Sequence, residues 1–536
     1  MPAPEPFDPS HIQNATDEEI NGLRHVVDKL PRKVWISLLV SGAERFTFYV
    51  VSTPWQNYMQ NGSDDSALPG ALGLGQAHAT AIFNAFYFYS FLAPVPFAVV
   101  SDTCLGRYKL ICISLSLYVC GTMIQFITSL PSVFSHNTGL AGLLVGMVFI
   151  GAAVGGTKAA IVPFIGDQYP VKPPQVKILP TGERVVVDRD LTLQYVYNVF
   201  YWITNIAALS LLAATYLEKY RGFWTANLLA LSTSWIGLAL LIVFSNEFEK
   251  PPPQGDVLIK SGSVIKIALQ NKFNLDAARP RFQQENYHRA VPWSERFVTE
   301  IKCGLVACQV MAWFILFYLG LNQITNNLVS QAGQMVLGGF PNDGIQVLNG
   351  VACVVLGPIM QKVLYPVLAT FHIPFGPLVR MSLAFFVMGA AFAYAAGLQK
   401  MIYNSGPCYE APLSCTAAQR EGEPPLPNSI TVWMQTPIYA ILAISEILGF
   451  VSLSEYSYSN SPKDMRTVLQ SIQQLSAGIG SAIGIALGPV SQNPKVIWTY
   501  VGLAASLACT SPLFWIVMGH PEKHIGDVSM VPLENA

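Results

Sequence analysis

The chain alternates long apolar stretches with short polar ones, and each apolar stretch is long enough to cross a bilayer. Wound as a helix at 1.5 Å per residue, about 20 residues cover the ~30 Å hydrocarbon layer, where every backbone polar group must be satisfied internally. Twelve such stretches occur: near 34–58, 77–100, 108–129, 141–165, 193–216 and 223–244, then near 301–322, 347–368, 374–397, 433–456, 468–490 and 495–518. They predict an all-α polytopic membrane protein whose solvent is the lipid bilayer.

The layout is six plus six. A tail at 1–33 precedes a first half at 34–245, a polar linker follows at 246–300, and a second half at 301–518 ends in a tail at 519–536. Only 12% of the 536 residues are charged, against about 25% in an ordinary soluble domain. A net charge of -1 argues against a nucleic-acid partner, which needs a basic surface. Residues 1–30 are polar and mildly acidic, so the first membrane helix is expected to direct insertion itself.

Lys and Arg set the orientation. One set of loops collects Arg107 and Lys109, then Lys172, Lys177, Arg184 and Arg189, then nine basic residues from Lys250 to Lys302. The opposite loops 59–76, 130–140 and 325–346 hold none, although Lys219, Arg221, Lys400, Arg420 and Lys495 are exceptions. Both termini are therefore predicted to be cytoplasmic and both tails disordered. Cys408 and Cys415 then share the external loop 398–432, where an oxidising compartment allows a disulfide, while the other seven cysteines lie in or beside helices as apolar fillers. Asn61-Gly62-Ser63 is an external glycosylation sequon close to a helix end.

Charges deep within the apolar runs are few. Glu44 and Arg45 are adjacent in the first, Lys158 lies in the fourth, and Glu446 and Glu455 lie in the tenth. An ionised side chain at the bilayer centre costs about 2.5–3.5 kcal/mol on insertion scales, so such groups face a bundle interior or wet cavity and mark substrate or proton pathways. Lys158 and Glu446 are natural partners across the halves, and Glu455, nearer the helix end, reads as structural. Gly142, Gly146, Gly151, Gly155 and Gly156 let helices approach closely around Lys158. The aromatic clusters at 46–49 and 86–89 fit either a lipid-facing belt or pocket walls. In the linker, LIKSGSVIKIALQNKF fits a short amphipathic helix on the inner leaflet or a solvated stretch.

No nucleophile with a positioned base, metal-ligand cluster or nucleotide loop occurs, and the eight histidines are scattered. Neither an enzyme nor a bound cofactor or metal is expected. A non-transporting receptor would differ by binding without flux.

SGAERFTFYVVSTPWQNYMQNG resembles the first helix of the proton-dependent oligopeptide transporters, VSDTCLGRYK their loop between helices 2 and 3, and GGTKAAIVPFIGDQYP their fourth helix with its buried lysine. TGERVVVDRDLTLQYVYNVFYWITNIAAL, LNQITNNLVSQAGQM, FGPLVRMSLAFFVMGAAFAYAAGLQKMIYNSGPCYEAP and SEILGFVSLSEYSYSNSPKDM extend the likeness over nearly all of the chain after residue 30, and the fungal peptide permeases fit best. The resemblance implies a major-facilitator fold importing di- and tripeptides with protons by alternating access in the plasma membrane, with a vacuolar membrane the alternative; nothing in the sequence calls for an obligate oligomer, so a monomer is expected. Carried over, Glu44, Arg45 and Lys158 are coupling charges, Glu446 recognises the peptide amino terminus and pairs with the lysine, Asn205 hydrogen-bonds the peptide backbone, and Tyr49 lines the pocket. Three positions depart from the pattern. Ser41 stands where the family has its first glutamate, Thr204-Asn205-Ile206-Ala207 replaces an Ile-Asn-x-Gly pattern, and Ser52 stands where bacterial relatives carry an arginine. A diverged relative that moves a modified peptide or secondary metabolite, with coupling lost, is the alternative.

Overall fold

In the computed structural model, the residues described are 13–63, 68–170, 175–178, 183–253, 257–272, 274–371, 375–419, 425–459 and 466–519. All twelve apolar stretches are helical. In the first half, α1 spans Arg32–Ser52 and continues past Pro54 as Trp55–Gln60; α2 spans Gln76–Leu92 and runs on through Pro94–Val100. Then come α3 (Arg107–Ser129), α4 (His136–Asp167), α5 (Arg189–Ala208, extended by Ser210–Arg221) and α6 (Phe223–Val243). The second half holds α7 (Glu295–Asn322), α8 (Val347–Ile359, prolonged by a π turn and Tyr365–Thr370), α9 (Pro377–Tyr403), α10 (Thr436–Ser459), α11 (Arg466–Ala486) and α12 (Val496–Met518). Among the described residues, ten have the length and apolarity to cross a membrane by themselves, and the apolar helix at α8 is shorter. The side chain of Glu455 lies outside the described residues.

Close approach explains the glycines of α4. A methyl at Gly146 would stand 2.5 Å from Gln125 Cγ of α3, and one at Gly151 2.5 Å from Tyr89 Cδ1 of α2. Gly156 would meet Ser114 of α3 in the same way. Thus α4 is clamped on two faces, which fixes the height at which Lys158 enters the bundle. The second half packs instead around rings: Phe314 lies 5.2 Å from both Phe317 and Phe385, and Phe317 lies 5.4 Å from Phe450.

The two ends of the bundle differ. At one end Cys408 and Cys415 are bonded, and Asn428 pins that loop by donating to the carbonyls of Ile402 and Tyr409. Asn61 sits at the same end with 7% of its surface exposed, its amide nitrogen donating to the Pro69 carbonyl at 2.9 Å. A sugar on that nitrogen would have to displace this contact, so the sequon is a poor glycan site in this conformation.

At the other end, residues 13–33 of the N-terminal tail are ordered, unlike the disordered segment expected from their polarity, while residues 1–12 and 520–536 of the two tails lie outside the described residues. Strands β1 (Gln13–Asn14), β2 (Arg24–Val26), β3 (Gln175–Ile178) and β4 (Arg184–Val187) form a sheet in the order β1-β3-β4-β2, tying the tail to the connection between α4 and α5. Lys33 pairs with Glu249 at 2.7 Å, joining the start of α1 to the linker. The linker segment Val257–Gln270 is a helix, and its apolar residue Val264 is buried with Ala278, Val298 and Ile301 rather than facing lipid.

His25 clasps this sheet. Its Nδ1 lies 2.8 Å from Asp188 Oδ2 and its Nε2 2.7 Å from the Ile20 carbonyl, so both nitrogens face acceptors, an arrangement that favours the doubly protonated ring. The Ile20 carbonyl and then Asp188 raise its pKa above the ordinary histidine value. A raised histidine pKa gives stabilisation that is complete below the unfolded value and lost as pH rises through the folded one. Hydrogen exchange in β2 and β4 is expected to speed up across that window beyond the intrinsic rate change. In His25→Ala it should be fast at every pH; unchanged exchange there would remove the clasp from the account.

Candidate functional site

A cavity of about 780 Å³, partly open to solvent, lies between the halves. Helix α1 contributes Phe48, Tyr49, Ser52 and Thr53, α2 contributes Tyr87, and α5 contributes Asn205. From the second half come Thr325, Gln346, Asn349, Cys353 and, from α10, Glu446. Three residues singled out from the sequence therefore line one chamber: Tyr49, Asn205 and Glu446. The others, Glu44, Arg45 and Lys158, lie behind its wall.

Glu446 accepts a hydrogen bond from Asn349 Nδ2 at 2.8 Å. The Oδ1 atom of Asn349 is buried without a partner. Carboxylate and amide oxygens thus stand together with acceptor capacity to spare, which is what an ammonium group with its several donors requires. Asn349 was not singled out from the sequence, although an amide in the apolar run VLNGVACVV was signal enough. Asn205 donates to the carbonyl of Tyr201 at 2.8 Å. The neighbouring Ile206 is 62% exposed and does not line the chamber, so its extra bulk points away from it. Ser52, which stands where bacterial relatives are expected to carry an arginine, lies on the chamber wall.

Behind that wall, Arg45 Nε and Nη2 donate to the two oxygens of Glu44 at 2.5 and 2.6 Å. This is a bidentate pair between chain neighbours, with the Glu44 side chain 1% and the Arg45 side chain 16% exposed. Thr157 of α4 donates to Glu44 Oε1 at 3.3 Å, and the Arg45 guanidinium lies 5.4 Å from the Phe48 ring. One residue along α4, Lys158 holds its Nζ 4.0 Å above the ring of Phe91. Phe91 stacks on Tyr87, a chamber residue, at 5.9 Å. The pairing of Lys158 with Glu446 expected from the sequence is not made: a ring holds the lysine and an amide holds the glutamate. Ser41, in the place of a carboxylate, is buried in α1.

Polar contacts close the chamber toward the disulfide end. Asn57 and Asn342 donate to each other at 2.9 and 2.8 Å, Ser330 donates to Gln60, and Tyr87 donates to Thr325 at 3.4 Å. Each of these bonds joins one half to the other.

Twelve helices in two halves around a chamber lined from both define a secondary transporter of the major-facilitator type. More narrowly, the chain belongs to the POT family, whose description matches residues 108–503. It is 40% identical over 505 residues to peptide transporter PTR_A of Candidozyma auris, covering 94% of this chain and 84% of that one. It is 36% identical over 515 residues to peptide transporter PTR2 of Saccharomyces cerevisiae, covering 96% and 83%. Among solved structures, the POT family transporter PepTSo is similar in fold, with a TM-score of 0.72 at 18% identity over 93% of this chain and 99% of that one.

Replacing Glu44 by Gln would leave the Arg45 guanidinium buried without its counter-charge. Breaking a buried pair in this way costs about 3–5 kcal/mol. A clear fall in Tm in detergent is expected; an unchanged Tm would mean that the pair does not stabilise the first half.

Proposed function

We propose that this chain is a proton-coupled importer of di- and tripeptides that works by alternating access. The observation that carries the reading is the Glu446–Asn349 acceptor pair in a chamber shared with Tyr49 and Asn205. A zwitterionic peptide presents an ammonium, which fits that pair, and a backbone that Asn205 and Tyr49 can read without contacting side chains. Its carboxylate is assigned to Arg45 of α1 or Lys158 of α4. The names of the similar fungal proteins support a peptide cargo over a secondary metabolite.

Glu44 is the carboxylate assigned to proton coupling. With Ser41 in place of a second glutamate, it acts without a neighbouring acid on α1. Protonating it would release Arg45 from its bidentate grip, freeing the guanidinium for the peptide carboxylate. The disulfide end is assigned to the outside, where such a bond persists, and the linker end with both tails to the cytoplasm, following the basic loops. A single copy in the plasma membrane suffices, because both walls of the chamber come from one chain.

The test is uptake of labelled dialanine by the purified protein in liposomes. Uptake should rise when the external pH is lowered, and Glu446→Gln should reduce kcat/KM on the order of tenfold or more, a loss of at least ~1.4 kcal/mol of recognition. Ser41→Glu should steepen the dependence on the proton gradient. A wild-type protein that takes up no dipeptide under an inward proton gradient would end this reading.

A further inference from the structure

Two carboxyl groups outside the chamber have no part in the peptide site. Glu218, near the end of α5, is 3% exposed, and Asp343, in the connection between α7 and α8, is fully buried. They belong to opposite halves and meet at the disulfide end. Asn57 of the α1 extension donates to Glu218 Oε1 at 2.8 Å, and the same amide nitrogen donates to Asn342, the residue before Asp343, at 2.9 Å. The other Glu218 oxygen and both Asp343 oxygens are buried with no hydrogen-bond partner. The two carboxyls lie within each other's electrostatic and hydrogen-bonding reach.

Two facing carboxylates away from water repel each other and cannot both stay ionised, whereas one proton between them turns repulsion into a hydrogen bond. The local charges do not remove that need. Lys219, whose Nζ donates to the Gly339 carbonyl, draws the Asp343 carboxyl down, but burial outweighs it; Asn57 and Asn342 are neutral. Burial pushes the Asp343 carboxyl well above the usual carboxylate range.

We propose that Glu218 and Asp343 form a proton-binding site, separate from Glu44, that joins the two halves when the disulfide end closes. With that end open, both carboxylates are hydrated and charged. Closing strips the water from them and requires one proton, which enters from the adjoining solution, is shared between the carboxyls, and leaves when the halves part. Closure of that end therefore takes up one proton from the outside and reopening returns it to the same side, so the site makes closure pH-dependent without itself moving a proton across. The site is a second titratable group, apart from the charges of α1, that biases which end of the bundle is closed. This inference rests on the alternating-access reading above, with the disulfide end outside.

The linkage has a definite sign. A carboxyl with a raised pKa in the closed state favours closure at low pH, and that contribution is lost as pH rises through the raised value. Hydrogen exchange of residues 337–346 in nanodiscs without peptide, corrected for the intrinsic rate, reads the closure directly. Protection in the wild type is expected to fall about tenfold or more between about pH 5.5 and about pH 8.5. Asp343→Asn and Glu218→Gln each replace one acid by a neutral donor, so each should remain protected at both pH values. If both variants keep the wild-type pH response, or open the end at both pH values, the proposal is overturned. Because no peptide is present, acid-driven closure in a protein that transports no dipeptide would discard the peptide reading and keep the proton site, while dipeptide uptake without this closure would do the reverse.

Discussion

The bidentate contact between Glu44 and Arg45 is the interaction on which the first half depends. Neither charge is tolerable at membrane depth alone, and being chain neighbours they neutralise each other without help from another helix. Thr157 then attaches α4 to the pair, and the glycines of α4 bring α2 and α3 close enough to enclose it. Lys158, one residue further, is thereby carried beside the pair and over Phe91 rather than across to Glu446. The geometry leaves the second half with an acid whose partner is an amide, and an amide can yield to a ligand at less cost than a lysine can.

Contacts between the halves differ in kind from contacts within them. Inside the second half, Phe314, Phe317, Phe385 and Phe450 interlock, and such packing resists partial separation. Between the halves at the disulfide end, the contacts are amides and hydroxyls such as Asn57 with Asn342 and Gln60 with Ser330. A neutral hydrogen bond nets only about 0.5–1.5 kcal/mol because water replaces it when it breaks. A seam made of such bonds can open and reseal while each half moves as a body. The acid pair Glu218 and Asp343 lies in this seam, where a single proton has the greatest leverage on its closure.

Much of this was legible in the sequence because a bilayer imposes a simple rule on length and polarity. The twelve apolar runs fall on the twelve helices, and Tyr49, Asn205 and Glu446 fall in one chamber. What escaped depends on pairing between distant segments. Strands of two to four residues such as β1 and β3 carry no period, and their partners are about 160 residues apart. Glu218 sits two residues beyond the apolar run ending at 216, where a charge reads as a loop residue in water, yet α5 continues to Arg221 and buries it. Asn349 was visible as an amide in an apolar run, but its role came only from its placement against Glu446. Lys158 shows the converse: opposite charges in separate halves suggest a pair, and the nearer ring takes the lysine instead.

Coupling between peptide and proton is the central claim, and the most direct measurement is proton movement driven by peptide alone. Liposomes containing the protein and an internal pH dye, with no initial pH difference across the membrane, would receive external dialanine. Internal acidification that follows the dipeptide concentration and vanishes in Glu446→Gln is the expected result. Dipeptide entry without any internal acidification would contradict the account, because the peptide would then be moving without its proton.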